Sequence, residues 1–161
     1  MKVAAKKNRL KPPASSDGEV FRGLQAILKA HVPPLRVLVD KPGDFQVVSA
    51  TRVWRGRPLW VAGVRAGKNY TSFYLMPVYS DPELSKLISP QLKRRMQGKS
   101  CFNFKAVDPA LFAELQRLTD AGIPRFDSDR LLAYVEQETV KRRQRAGREK
   151  KKKSGKKVSG S

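Results

Sequence analysis

Two residue types much used in nucleophilic and acid–base catalysis are nearly missing from this 161-residue chain. There is one cysteine, Cys101, and one histidine, His31, far apart in sequence. Lys93, Arg94, Arg95 and Lys99 lie close to Cys101 along the chain, and nearby cations lower a thiol pKa and make it nucleophilic. The competing reading places Cys101 on a strand beside Phe102 and Phe104 as a small half-buried side chain. That reading is preferred, because no base or orienting acid stands at a recognisable spacing. His31 continues the apolar stripe of a helix close to its end, where an imidazole is satisfied locally or caps carbonyls more readily than it acts as a base. A lone cysteine forms no internal disulfide, and with one histidine no His/Cys metal cluster can be assembled. No catalytic residue and no cofactor are expected.

Binding chemistry is better represented. Arg94, Arg95, Lys99 and Lys105, with Lys93 and Ser100, form the densest basic cluster of the central chain. Arg95 and Lys99 are four apart and so share a helical edge, just beyond which Gly98 turns the chain towards Ser100. Such a corner either holds a phosphate or carboxylate, or is a solvated helix face. Between Arg52 and Tyr74, Arg52, Arg55, Arg57, Arg65 and Lys68 interleave with Trp54, Trp60, Tyr70, Phe73 and Tyr74. On an exposed sheet that mixture would stack single-stranded bases. The preferred expectation is that the aromatics fill the core while the arginines decorate turns.

The remaining cations lie at the ends. With 34 Lys and Arg against 14 Asp and Glu, the chain carries a formal charge of +20, which excludes an ordinary neutral metabolic enzyme as the default. Residues 1–16 hold five basic residues and no acid, and 141–161 hold eleven basic residues and one acid, Glu149. That leaves 18 basic and 13 acidic residues between Asp17 and Val140. The expected organisation is a disordered basic N-terminal arm over 1–16, one α+β domain over 17–140 and a disordered Lys/Arg-rich tail over 141–161. Lys141, Arg142, Arg143, Arg145, Arg148, Lys150, Lys151, Lys152, Lys153, Lys156 and Lys157 have no core role, and such an arm binds nucleic-acid phosphates without reading bases. No apolar face accompanies the lysines, so a lipid surface is the weaker partner. Neither a spanning segment nor an apolar signal-peptide core is visible, and a cytoplasmic protein is expected.

Positioning these residues requires a folded middle. A first helix capped by Asp17 places Val20 or Phe21, Leu24, Ile27 and Leu28 on one stripe before Pro33-Pro34. Strands follow at Leu35–Val39, Phe45–Val53, Leu59–Val64 and Tyr70–Met76, and their short glycine-containing connections imply antiparallel hairpins. Asp81-Pro82, Ser89-Pro90 and Asp108-Pro109 then repeat one helix-start chemistry: an oxygen to accept from orphan N–H groups and a proline where no donor is needed. A second helix would align Ile88, Leu92 and Met96 and end at Gly98, followed by a strand over Ser100–Lys105. A third helix buries Leu111, Phe112, Leu115 and Leu118. A last one opens at Asp127 or Ser128 and carries Leu131, Leu132, Val135 and Val140. The expected class is α+β, an antiparallel sheet with helices packed on one side.

The runs Tyr74-Leu75-Met76-Pro77-Val78-Tyr79, Ser89-Pro90-Gln91-Leu92-Lys93-Arg94-Arg95-Met96 and Gln97-Gly98-Lys99-Ser100-Cys101-Phe102-Asn103-Phe104-Lys105 resemble the YdhG-like family, a domain of unknown function. The resemblance covers roughly residues 21–121 and implies the fold rather than a reaction. Some relatives are described as frataxin-like iron chaperones, so the resemblance implies iron handling as the alternative function. Here the carboxylates are scattered, as in Asp81/Glu83 and Asp127/Asp129, whereas hard iron sites favour clustered ones. The expected function is non-catalytic binding of an anionic ligand or partner by the domain, with nonspecific nucleic-acid affinity from the tail.

Overall fold

The computed structural model describes residues 15–126 and 128–155. Three- and four-residue apolar spacing produces helix α1, Ser15–Lys29, whose Val20, Phe21, Leu24, Ile27 and Leu28 are buried. The helix starts two residues before the expected Asp17 cap; the rest of the expected N-terminal arm, 1–14, lies outside the described residues. Four strands follow as an antiparallel meander: β1 (Arg36–Lys41), β2 (Asp44–Trp54), β3 (Arg57–Ala66) and β4 (Thr71–Leu75). Gly43 supplies the positive φ of the first turn, and Arg55 and Gly56 both take positive φ in the two-residue turn joining β2 to β3.

After β4 come the short helices α2 (Met76–Ser80), α3 (Pro82–Lys86) and α4 (Pro90–Lys93), strands β5 (Met96–Gln97) and β6 (Cys101–Phe104), and helices α5 (Pro109–Gly122) and α6 (Ser128–Gly155). All three helix starts cap as their residue types require. Asp81 accepts from the Glu83 N–H at 3.0 Å, Ser89 from Leu92 at 3.1 Å and Asp108 from Leu111 at 3.1 Å. Glu114 of α5 also takes the Ser89 N–H and hydroxyl, each at 2.8 Å, binding α4 to α5.

The six strands form one antiparallel sheet in the order β1-β2-β3-β4-β6-β5, and with the helices this is an α+β fold. One face carries Phe45, Val47, Ala62, Val64, Phe73, Leu75, Phe102 and Phe104 in register, and these join the buried residues of α1 and α5 in a single core. The opposite face carries polar neighbours. Ser72 donates to Asn103 at 2.7 Å, and the Asn103 amide donates to Gln97 at 3.0 Å.

Three expectations are corrected. The helix expected to run through Met96 stops at Lys93, because Met96 and Gln97 pair with Phe102 and Cys101 as β5; the propensity of Arg94 to Gln97 yields to the ladder. Gly98, with φ of 74°, serves the β5–β6 turn rather than a helix end. The aromatics of the Arg52–Tyr74 segment do not all fill the core: Phe73 is buried, but Trp54, Trp60, Tyr70 and Tyr74 are half-buried. A bulge is responsible for Trp60. Val47 opposes Ala62 while Val48 opposes Trp60, so Val61 is the extra residue and both it and Ala62 turn to the core. That single insertion sends Trp60 to the other face, where it meets Tyr74 edge to face at 5.8 Å.

The third correction concerns the tail. Instead of an unstructured segment from Lys141, α6 continues as helix to Gly155. Lys156 and Lys157 lie outside the described residues. Residues 141–149 are all exposed, and Val140 is 52% exposed, so none of the described residues packs over this stretch, as its low apolar content requires. The first half of α6 is already docked, however. Extension therefore escapes the cost of nucleation and proceeds through residues of high helix propensity.

Candidate nucleic-acid interface

Helix α6 is held at its start. Leu131 is 1% exposed, Tyr134 and Val135 are half-buried, and Asp129 pairs with Arg52 of β2 at 3.0 Å. Tyr134 meets Tyr79 of α2 edge to face, with ring centroids 4.5 Å apart. Lys99, at the tip of the β5–β6 turn, donates to the Tyr134 hydroxyl at 2.5 Å, and its ammonium stands 5.5 Å from the Tyr79 ring centre and 5.2 Å from that of Tyr134. The hydrogen bond to Tyr134 holds the Lys99 ammonium above its ordinary pKa. Burial, then the Tyr134 hydroxyl, pushes the Tyr79 phenol up. Lys99 thus stands at the foot of α6, beside a cleft of about 590 Å³ that Lys93, Met96 and Ile88 also line.

From Tyr134 the same helix face continues outwards. At 3.6 residues per turn, Lys141, Arg145, Arg148 and Lys152 fall in one row in line with Tyr134, and from the first to the last of them is about 16 Å. All four are exposed. Arg142 and Arg143 project from the other sides of the helix, and Lys150, Lys151 and Lys153 occupy positions off the row. Glu138 interrupts the foot of the row. Its carboxyl sits below the usual range, first because Lys141 donates to it at 3.1 Å and then through the fields of Lys99 and Arg145. The domain cation and the helix cations therefore share one electrostatic neighbourhood.

The expected four-residue anion site does not assemble. Arg94 and Arg95 line a different cleft, of about 420 Å³, with Gln91, Asp108 and Leu111, and the nearby Asp108 carboxylate is engaged as the α5 cap. Lys99 faces Tyr79 and Tyr134 because β5 replaces the helical edge that would have joined it to Arg95. Lys105 is exposed beyond β6 and lines neither cleft. The tyrosine pair was not anticipated. Tyr79 has no sequence signal, but Tyr134 stands seven residues before Lys141 and in phase with the row, and that spacing could have found it.

Cys101 lies on the polar sheet face, where its thiol donates to Asn103 at 3.4 Å. Burial pushes its pKa up against smaller opposing hydrogen bonds with Ser72 and Tyr74, so the basic neighbours in sequence do not activate it. His31 is satisfied by Asp120 at 2.9 Å. Among the described residues no group of three or more His, Cys, Asp and Glu could hold a metal ion, and no helix is long and apolar enough to cross a membrane. No family model matches the chain, and no curated protein and no solved structure match it either.

Proposed function

We propose that this protein is a non-catalytic nucleic-acid-binding protein of YdhG-like fold that grips the phosphates of a duplex along α6. The observation that carries the reading is the row Lys141, Arg145, Arg148 and Lys152 on one face of a helix whose foot is fastened to Lys99 through Tyr134. A rigid row of cations follows a backbone of regularly spaced phosphates, and each contact releases condensed counterions. Contacts from such a row to phosphates position the protein without reading sequence. Lys93 and Lys99 extend the basic surface onto the domain at the end where the helix docks.

The test is binding of the full chain to duplexes of unrelated sequence. Affinity should differ little between sequences, and its logarithm should fall linearly with the logarithm of salt concentration. No measurable binding near 50 mM salt, where such contacts are strong, would overturn the proposal. Affinity confined to one sequence would do the same.

A further inference from the structure

We infer that the β2–β3 hairpin end of the sheet is a second nucleic-acid site, one that takes unpaired bases. A groove of about 720 Å³ lies there, walled by Leu38, Trp54, Pro58 and Trp60 and bordered by Arg55 and Arg57, with no acid in its lining. Leu38 and Val53 are 52% and 61% exposed, so the hairpin end shows apolar surface that the core does not use. The bulge at Val61 is what brings Trp60 out of the core. Its indole N–H is enclosed with no acceptor among the described residues. Arg55 holds the left-handed conformation, φ of 50°, that favours glycine or asparagine, and its guanidinium lies 4.5 Å from the Trp54 ring centre. The cross-strand row Arg36, Val48, Trp60 adds a further cation on the face of Trp60.

Aromatic rings beside arginines, in a groove whose described lining holds no acid, suit one ligand chemistry. Bases stack on the rings while the guanidiniums meet the phosphates, and stacking tolerates any sequence because every base has a π-face. An apolar protein segment would find the rings but leave Arg55 and Arg57 without anionic partners. A paired duplex, its bases already stacked, could not enter. The site shares no residue with the α6 row, so either can fail alone.

The chain contains two tryptophans, Trp54 and Trp60, both in this groove, so intrinsic emission reports its occupancy without a label. The probe is a thymidine oligomer of about ten nucleotides, within the span one small domain covers, titrated into the full chain beside a duplex of equal length. The single strand should quench emission to saturation and the duplex should not. Trp54→Ala should weaken the single-strand affinity about five- to a hundredfold, the effect of one lost stack. Arg55→Glu with Arg57→Glu, both exposed side chains, should weaken it at least tenfold with an unchanged far-UV spectrum. Absence of quenching, or quenching that the double arginine variant leaves intact, would overturn the inference. A concentration-dependent emission change without nucleic acid, abolished by Leu38→Glu, would put a second copy of the chain in the groove and would also overturn it. Loss of duplex binding with the quench intact would refute the α6 reading alone.

Discussion

Leu131→Ala separates the docking of α6 from the folding of the domain. Among the described residues of α6, Leu131 is the one fully buried apolar side chain, and its truncation should cost about 2–5 kcal/mol. The other described contacts are weaker: the Tyr79–Tyr134 edge contact contributes about 0.5–1.5 kcal/mol, the Lys99–Tyr134 hydrogen bond comes from an exposed lysine, and the Arg52–Asp129 pair is exposed on both sides and adds little. The loss is therefore comparable with the whole docking energy, and its effect on the domain should saturate once α6 detaches. Past Val140 the helix depends on its docked half for nucleation, so detachment should melt the outer half as well. Because α6 has 28 residues, about as many as α1 (15) and α5 (14) together, far-UV circular dichroism should lose a large part of its helical signal at low temperature. The near-UV signal of Trp54 and Trp60 in the sheet should keep its cooperative transition within a few degrees of the parent. Val140→Ala, at a half-exposed position, is the control and should change neither. A variant that keeps its full helical signal while the near-UV transition falls steeply would show α6 to be an integral part of the core and refute this reasoning.

Glu138→Gln should tighten duplex binding a few-fold with no loss of fold, because it removes an acid from the foot of the basic row; weaker binding would contradict the placement of the site. Since Glu138 titrates below its ordinary range, whatever stability it contributes is present above the usual carboxylate pKa and is lost as pH falls through its lowered value, which a melting series on Glu138→Gln and the parent would expose. Cys101 should react with a disulfide reagent more slowly at neutral pH than a small thiol, with the rate rising only above the usual thiol range, as its raised pKa requires; fast labelling at pH 7 would contradict its burial. Ser89→Ala should cost about 1–2 kcal/mol, from the α4 cap and the orphaned Glu114 contact, read as a lowered denaturant midpoint.

What the sequence disclosed divides along the range of the forces involved. Asp81, Ser89 and Asp108 cap as read because a cap is settled within three residues, and the meander was legible because its turns are local. Met96 and Gln97 were misread because their state is decided by Cys101 and Phe102 across a hairpin. Trp60 was misread because a bulge at Val61 reverses the inward and outward alternation that places every side chain before it. The site was legible in composition only. The basic tail stands out in any count of charge, but its row exists only if the helix persists past Val140, and that follows from the docking of Leu131 and Tyr134 rather than from the lysines themselves. The anion cluster drawn from Arg94, Arg95, Lys99 and Lys105 rested on sequence proximity, which the β5–β6 hairpin divides between two clefts.

The most direct measurement is the salt dependence of duplex binding for two variants of equal charge. In the first, Lys141, Arg145, Arg148 and Lys152 become glutamine; in the second, Arg142, Arg143, Lys150 and Lys151 do. A helix is about 10 Å across, close to the screening length at 0.1 M salt, so a rigid α6 lying against a duplex engages one face and leaves the other screened. At about 0.9 per phosphate, the first variant should lower the log–log slope by about 3 to 4 and the second by less than half of that. Equal losses from the two variants would mean that the cations act as independent charges on a flexible arm, and would contradict the claim that an ordered row on α6 makes the contact.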